Sequence, residues 1–97
     1  MILSFTSQAL ADLVRLREFI AVHSEISAER AAKSLLKGIM LLSRHPRLGM
    51  RVSKGDGEAA PEEIRDWMVD KYVVRYLISD QRLVVLRIWH QREDRPN

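Results

Sequence analysis

Seven side chains in the second half of the chain have types and spacing that suit chemistry or recognition: Arg65, Trp67, Arg75, Arg87, Trp89, His90 and Arg92. His90 follows an apolar run and lies inside Trp89-His90-Gln91-Arg92-Glu93-Asp94-Arg95. Histidine is the side chain nearest to proton-transfer poise at neutral pH, so at a strand end opening onto a basic surface it suits an acid–base group. Its alternation with Ile88 fits equally a half-buried histidine bonded to a backbone carbonyl. Arg65, Arg75 and Arg87 fall one on each of three strand-like runs. With tryptophans interleaved, they could hold phosphates while bases stack, as in single-stranded nucleic-acid binding. They could also line a groove for an acidic or amphipathic peptide. The plain alternative is that neighbouring Asp and Glu side chains neutralise them.

Other chemistries are disfavoured. There is no cysteine, which excludes a disulfide framework, a thiolate metal site and a cysteine nucleophile together. His23 and His45 flank helix ends, where a histidine supports the last carbonyls, and no histidine has a second ligand at a metal-binding spacing. Neither a metal nor a cofactor is expected. No glycine loop able to cradle a phosphate and no Ser–His–Asp order is present. Glu62-Glu63 reads as a charge pair at a loop–strand junction rather than a catalytic dyad.

The positioning elements must come from one small domain spanning residues 1–97, because two cores of stable size do not fit in this length. Sixteen Lys and Arg oppose thirteen Asp and Glu; twelve of the sixteen are arginine, the residue that binds phosphate and carboxylate with a planar fork. A GC-rich genome would give the same bias without a functional cause. No apolar run approaches membrane-spanning length, and Met1-Ile2-Leu3-Ser4-Phe5 lacks the basic lead of a secretory signal, so a cytoplasmic protein without a membrane partner is expected.

Ile2 to Phe5 reads as a strand. Ser7 is placed to cap a helix whose apolar side is Leu10, Leu13, Val14, Ile20 and Ala21, with Asp12, Arg15 and Glu18 opposite. Ser27 is a second cap candidate, opening a segment with Ala28, Ala31, Ala32, Leu35, Ile39 and Leu42 in one stripe, widened by Leu36 and Met40. So short a link makes the two helices an antiparallel hairpin. Arg44-His45-Pro46 ends the second helix, Gly49 marks a turn, and Ser53 to Pro61 reads as a loop. The period then changes to 2 over Ile64–Val69, Tyr72–Ile78 and Leu83–Trp89, whose short links force a three-stranded antiparallel meander. The fold class is therefore α+β, with the helices on one sheet face. With no bulge, Ile64, Met68, Tyr72, Val74, Tyr76, Ile78, Val84, Leu86 and Ile88 share the helix-facing side, as does Asp66 by parity. Arg65, Trp67, Arg75, Leu77, Arg87 and Trp89 share the reverse.

Over nearly its whole length the chain resembles the ParE/RelE superfamily of bacterial type II toxins, also called plasmid stabilisation proteins. The resemblance rests on Phe5, Ala9, Asp12, Leu13 and Ile20, then Ala31, Leu35, Leu42, Pro46, Leu48 and Gly49. It continues through Arg65, Tyr72-Val73-Val74-Arg75-Tyr76 and Val85-Leu86-Arg87-Ile88-Trp89-His90-Gln91-Arg92. It implies a toxin neutralised by a cognate ParD-like antitoxin, the pair repressing its own promoter, and it implies no small-molecule substrate. RelE-like members cut messenger RNA on the ribosome without a metal; ParE-like members poison DNA gyrase and generally lack the nuclease residues. Val73 stands where RelE-like nucleases tend to carry a basic residue, and Ile64-Arg65-Asp66-Trp67 replaces their lysine-rich strand. The resemblance therefore favours a ParE-like, non-enzymatic gyrase inhibitor, whose seven site residues would contact target or antitoxin. In the RelE-like alternative His90 transfers a proton while Arg65 and Arg92 hold the phosphate.

Overall fold

The computed structural model describes residues 1–52 and 63–93. The expected loop over Ser53–Pro61, with Glu62, Asp94 and Arg95, lies outside the described residues. The order is β1 (Ile2–Phe5), α1 (Ser7–Ala21), α2 (Glu25–Arg44), β2 (Met50–Arg51), β3 (Glu63–Val69), β4 (Tyr72–Ser79) and β5 (Arg82–His90). The strands form one sheet in the order β1-β5-β4-β3-β2, and the helices pack against it. The α+β class, helical hairpin and meander are as expected. The additions are the pairing of β1 parallel to β5, and the two-residue β2, which pairs with β3 where only a turn at Gly49 was expected.

Both helix caps lie earlier than expected. Thr6, not Ser7, caps α1: its Oγ1 accepts from the Ala9 amide at 3.0 Å and donates to the Leu86 carbonyl at 2.8 Å. Ser24, not Ser27, caps α2, its hydroxyl accepting from the Ser27 amide at 3.1 Å. Each displaced candidate sits within three residues of another hydroxyl, so local capping chemistry could not choose between them. The α2 stripe is as expected at Ala28, Leu35, Ile39 and Leu42, although Leu36 and Met40 are exposed. On α1 the buried set is Ala9, Asp12 and Leu16, while Leu10 and Val14 face outward. The helix is rotated because a carboxylate occupies the face that apolar periodicity alone would assign to hydrocarbon.

The sheet faces also differ from expectation. Val69 pairs with Tyr72 across the Asp70-Lys71 link, so Glu63, Arg65, Trp67 and Val69 share a face with Ile78, Tyr76, Val74 and Tyr72. A two-residue hairpin pairs the residues flanking it, an odd number with an even one. Continuing even with even across that link put Arg65 and Trp67 on the wrong side, and Ile64, Asp66 and Met68 with them. A second shift lies on β5. Arg75 pairs with Arg87 but Tyr76 pairs with Val85, leaving Leu86 as the extra residue of a bulge. Leu83 and Val85 are therefore buried beneath the helices instead of Val84 and Leu86, and Ile88 returns to the core.

Two close approaches explain two glycines. A Cβ at Gly38 would lie 2.6 Å from the methyls of Val69, so its absence lets α2 settle on β3. A Cβ at Gly49 would meet the Asp66 carbonyl and the Tyr76 hydroxyl at 2.8 Å. That hydroxyl donates to the Pro46 carbonyl at 2.6 Å and accepts from the Gly49 amide at 3.0 Å, pinning the segment between α2 and β2. Burial pushes the Tyr76 phenol above its ordinary pKa, only partly offset by the Gly49 amide and nearby arginines.

Candidate functional site

The residues singled out from sequence fall into three places. Arg65 and Trp67, on the helix-facing side, brace the fold. The Arg65 guanidinium donates to the Gly49 carbonyl at 2.7 Å and the Arg47 carbonyl at 3.3 Å, and pairs with Glu63. That hydrogen bond from Arg65 is the main reason the Glu63 carboxyl is held below its ordinary range. Trp67 donates its indole N–H to the Gly38 carbonyl at 3.2 Å. Neither belongs to a shared arginine–indole face with Arg75.

On the reverse face the register sets side chains in rows across β3, β4 and β5: Met68-Val73-Trp89, then Asp66-Arg75-Arg87, then, beyond the bulge, Ile64-Leu77-Val84. Arg75 binds Asp66 bidentately, at 2.8 and 3.0 Å, and its guanidinium carbon lies 5.2 Å from the centroid of the Trp89 ring. Trp89 is only 5% exposed, yet it lies outside the helix-side core. The indole thus forms a cation–π floor under a neutralised arginine rather than a free stacking platform. Met50, Met68 and Val73 border an open hollow of about 630 Å³ beside it.

Arg87 leads to a third place, the upper edge of β5. β1 pairs only with Arg82 to Val85, leaving the edge from Leu86 onward to be satisfied by α1. Asp12 provides this. Its carboxylate accepts from the Ile88 amide at 2.8 Å, from Arg87 at 2.9 and 3.1 Å, and from Arg15 at 3.1 Å. Burial would raise its pKa, but the bonds from Arg87, the Ile88 amide and Arg15 outweigh that and hold it below the ordinary value of 3.8. Sequence reasoning placed Asp12 on the solvent side. An acid between Leu10 and Leu13 on an amphipathic helix carries no local mark of a buried acceptor, because the amide that needs it lies 76 residues away.

From Asp12 the network continues. Arg15 also pairs with Glu93, whose Oε1 accepts from the His90 amide at 2.8 Å. His90 Nδ1 accepts from the Arg92 amide at 3.1 Å, so a neutral ring carries its proton on Nε2. The imidazole meets Tyr72 edge-on at 5.5 Å, and Tyr72 has a phenol pKa raised by burial and by the charges of Asp70 and Glu93. His90, Arg92, Tyr72, Arg15 and Phe19 line an open cleft of about 620 Å³. His23 is exposed and edge-on to Phe19, while His45 caps the end of α2.

The expected nuclease trio does not converge. Arg65 lies in the row of Tyr76 and His90 in the row of Tyr72, two strands and four residues apart, or roughly 16 Å between Cα atoms by strand geometry. His90 and Arg92 are together; Arg65 is elsewhere. Each of the three sheet arginines pairs with a carboxylate: Arg65 with Glu63, Arg75 with Asp66 and Arg87 with the distant Asp12. Among the described residues no group of three or more His, Asp or Glu is arranged to hold a metal ion, and no helix is long and apolar enough to cross a membrane.

Comparison with known proteins agrees with this architecture. The chain is 31% identical over 87 residues to Toxin RelE2 of Caulobacter vibrioides, covering 89% of this chain and 90% of that protein. Its fold matches a structure of the chromosomal ParDE TA system from P. aeruginosa with a TM-score of 0.75 and 19% identity, covering 93% and 95% of the two chains. The profile of the ParE toxin of the type II toxin–antitoxin system parDE matches residues 3–95, and the chain belongs to that family, within the ParE/RelE superfamily of toxins.

Proposed function

We propose that this toxin acts in the ParE manner, as a non-enzymatic inhibitor of DNA gyrase held inactive by a cognate ParD-like antitoxin. The observation that carries the reading is the separation of Arg65 from His90 and Arg92. Cleaving RNA requires a base for the 2′-hydroxyl, an acid for the leaving oxygen and positive charge on one phosphate. Here one of the three expected groups is spent on the carbonyls of Arg47 and Gly49, far from the other two. A gyrase supercoiling assay tests the reading: inhibition that rises with toxin and is reversed by antitoxin supports it, and unchanged supercoiling at toxin excess defeats it.

The antitoxin reading rests on the exposed apolar side of the hairpin. Leu10, Val14, Leu36 and Met40 are each more than 40% exposed, beside a groove between the helices lined by Leu13, Ile20, Ala31 and Ala32. An amphipathic antitoxin segment is the occupant such a groove suits. Cytoplasmic action follows from either target. One observation favours the RelE-like alternative: the cleft holding His90, Arg92 and Tyr72. That reading expects message cleavage in a translation extract, reduced about 100-fold or more in His90→Ala. Intact transcripts remove it.

A further inference from the structure

Four of the eight described lysines and arginines that form no ion pair lie on one element, the outer crest of α2; the other four, Arg51, Lys71, Arg82 and Arg92, are scattered over β2, β5 and the turns. At 100° per residue, Arg30, Lys33, Lys37 and Arg44 project within about 60° of one another and opposite the buried stripe of Ala28, Leu35, Ile39 and Leu42. All four are exposed, and they span about 21 Å of helix at 1.5 Å per residue. Among the described residues, none of the four forms an ion pair. Arg15, Arg17, Arg47, Arg65, Arg75 and Arg87, by contrast, each pair with a carboxylate. The two acids early in α2, Glu25 and Glu29, project to one side of the crest, and Glu25 is engaged by Arg17.

We infer that the crest of α2 is a contact surface for the phosphate backbone of duplex DNA, with Arg30, Lys33, Lys37 and Arg44 as the phosphate contacts. Charge complementarity selects a polyanion, because four cations in a straight line release counterions together from a regularly charged rod. The shape and composition of the crest narrow the choice. It is the outward surface of a single helix, bordered by Leu36 and Met40, and not itself a groove of the kind an acidic amphipathic peptide occupies. The α2 sequence contains no aromatic residue, so there is no ring on which the bases of a single strand could stack. The inference is independent of the gyrase reading and would stand if the target were a messenger.

The test is fluorescence anisotropy of a labelled random-sequence DNA duplex of about two helical turns with the purified full chain, titrated at several salt concentrations between about 50 and 200 mM. Four phosphate contacts give a log K against log salt slope of about −3.6, or about a 150-fold loss of affinity across that range. The Arg30→Gln, Lys33→Gln, Lys37→Gln, Arg44→Gln variant removes most of that slope while retaining the wild-type circular dichroism and melting transition. Arg51→Gln, Lys71→Gln, Arg82→Gln, which removes exposed cations elsewhere, leaves most of it. Undetectable binding at the lowest salt overturns the inference, as does a control variant that loses as much slope as the α2 variant. Tighter binding to double-stranded RNA of the same length, to polyglutamate or to anionic vesicles overturns the assignment to DNA. Gyrase inhibition by the same preparation is read separately, so either reading can fail alone.

Discussion

Along the seam between α1 and β5 each arginine meets a carboxylate: Arg87 and Arg15 both bind Asp12, and Arg15 reaches on to Glu93. Along the crest of α2 four cations meet none among the described residues. The seam is sheltered, with Asp12 at 3% exposure, whereas every cation of the crest is exposed. The difference is one of position in the fold more than of residue type. Where a strand edge is left open, charges are recruited inward to satisfy the Ile88 amide and carbonyl, and they become structure. Where a helix turns its back on the core, its charges have no ion-pair partner among the described residues and remain available to an external one.

The sharpest way to break this comparison is Asp12→Ala. It leaves the Ile88 amide without its acceptor and Arg87 without its carboxylate, and should cost about 3 kcal/mol in chemical denaturation, with Asp12→Asn milder because it keeps an acceptor. A loss below about 1 kcal/mol would mean that the seam is held by apolar packing alone. Gly49→Ala comes next, at about 1–3 kcal/mol, because the added methyl meets a backbone oxygen at 2.8 Å that has little room to retreat. Tyr76→Phe removes both bonds of the same segment and should cost about 1–2 kcal/mol by the same measurement.

Acid titration sharpens the contrast further. The Asp12 pKa is lowered in the fold, so its contribution is complete above the ordinary value of 3.8 and is lost as pH falls through the lower folded value. Melting temperature below pH 3.8 should therefore fall more steeply in the wild type than in Asp12→Asn. Parallel curves would show that the carboxylate is not held as described. At the small end, Lys33→Gln and Lys37→Gln should change stability by no more than about 0.5 kcal/mol, since neither side chain has an ion-pair partner among the described residues.

Element types, their order and the hairpin connections were legible because periodicity and turn residues act over a few positions. Pro46 ended a helix, Asp70-Lys71 and Ser79-Asp80-Gln81 marked links, and the change of period separated helices from strands. Both links place an aspartate at positive φ, Asp70 at 54° and Asp80 at 51°, a conformation that aspartate tolerates better than most residues. His90 and Arg92 as neighbours were legible for the same local reason. The facing of Arg65 was also available in principle, since a two-residue link fixes which residues pair. The bulge at Leu86 was not, because it depends on how β5 meets β4 rather than on any residue of its own.

By itself, then, the sequence determined the α+β class, the helical hairpin, the meander and the family likeness, all of which rest on local preference and residue order. Only the tertiary structure decided which charges are spent and which are free. Asp12 became a buried acceptor because β1 stops at Phe5, opposite Val85, and leaves the β5 edge open, and Arg65 became a brace because β2 brings the Gly49 carbonyl within reach. Pairing depends on distances between residues far apart in the chain, and no local pattern encodes those distances.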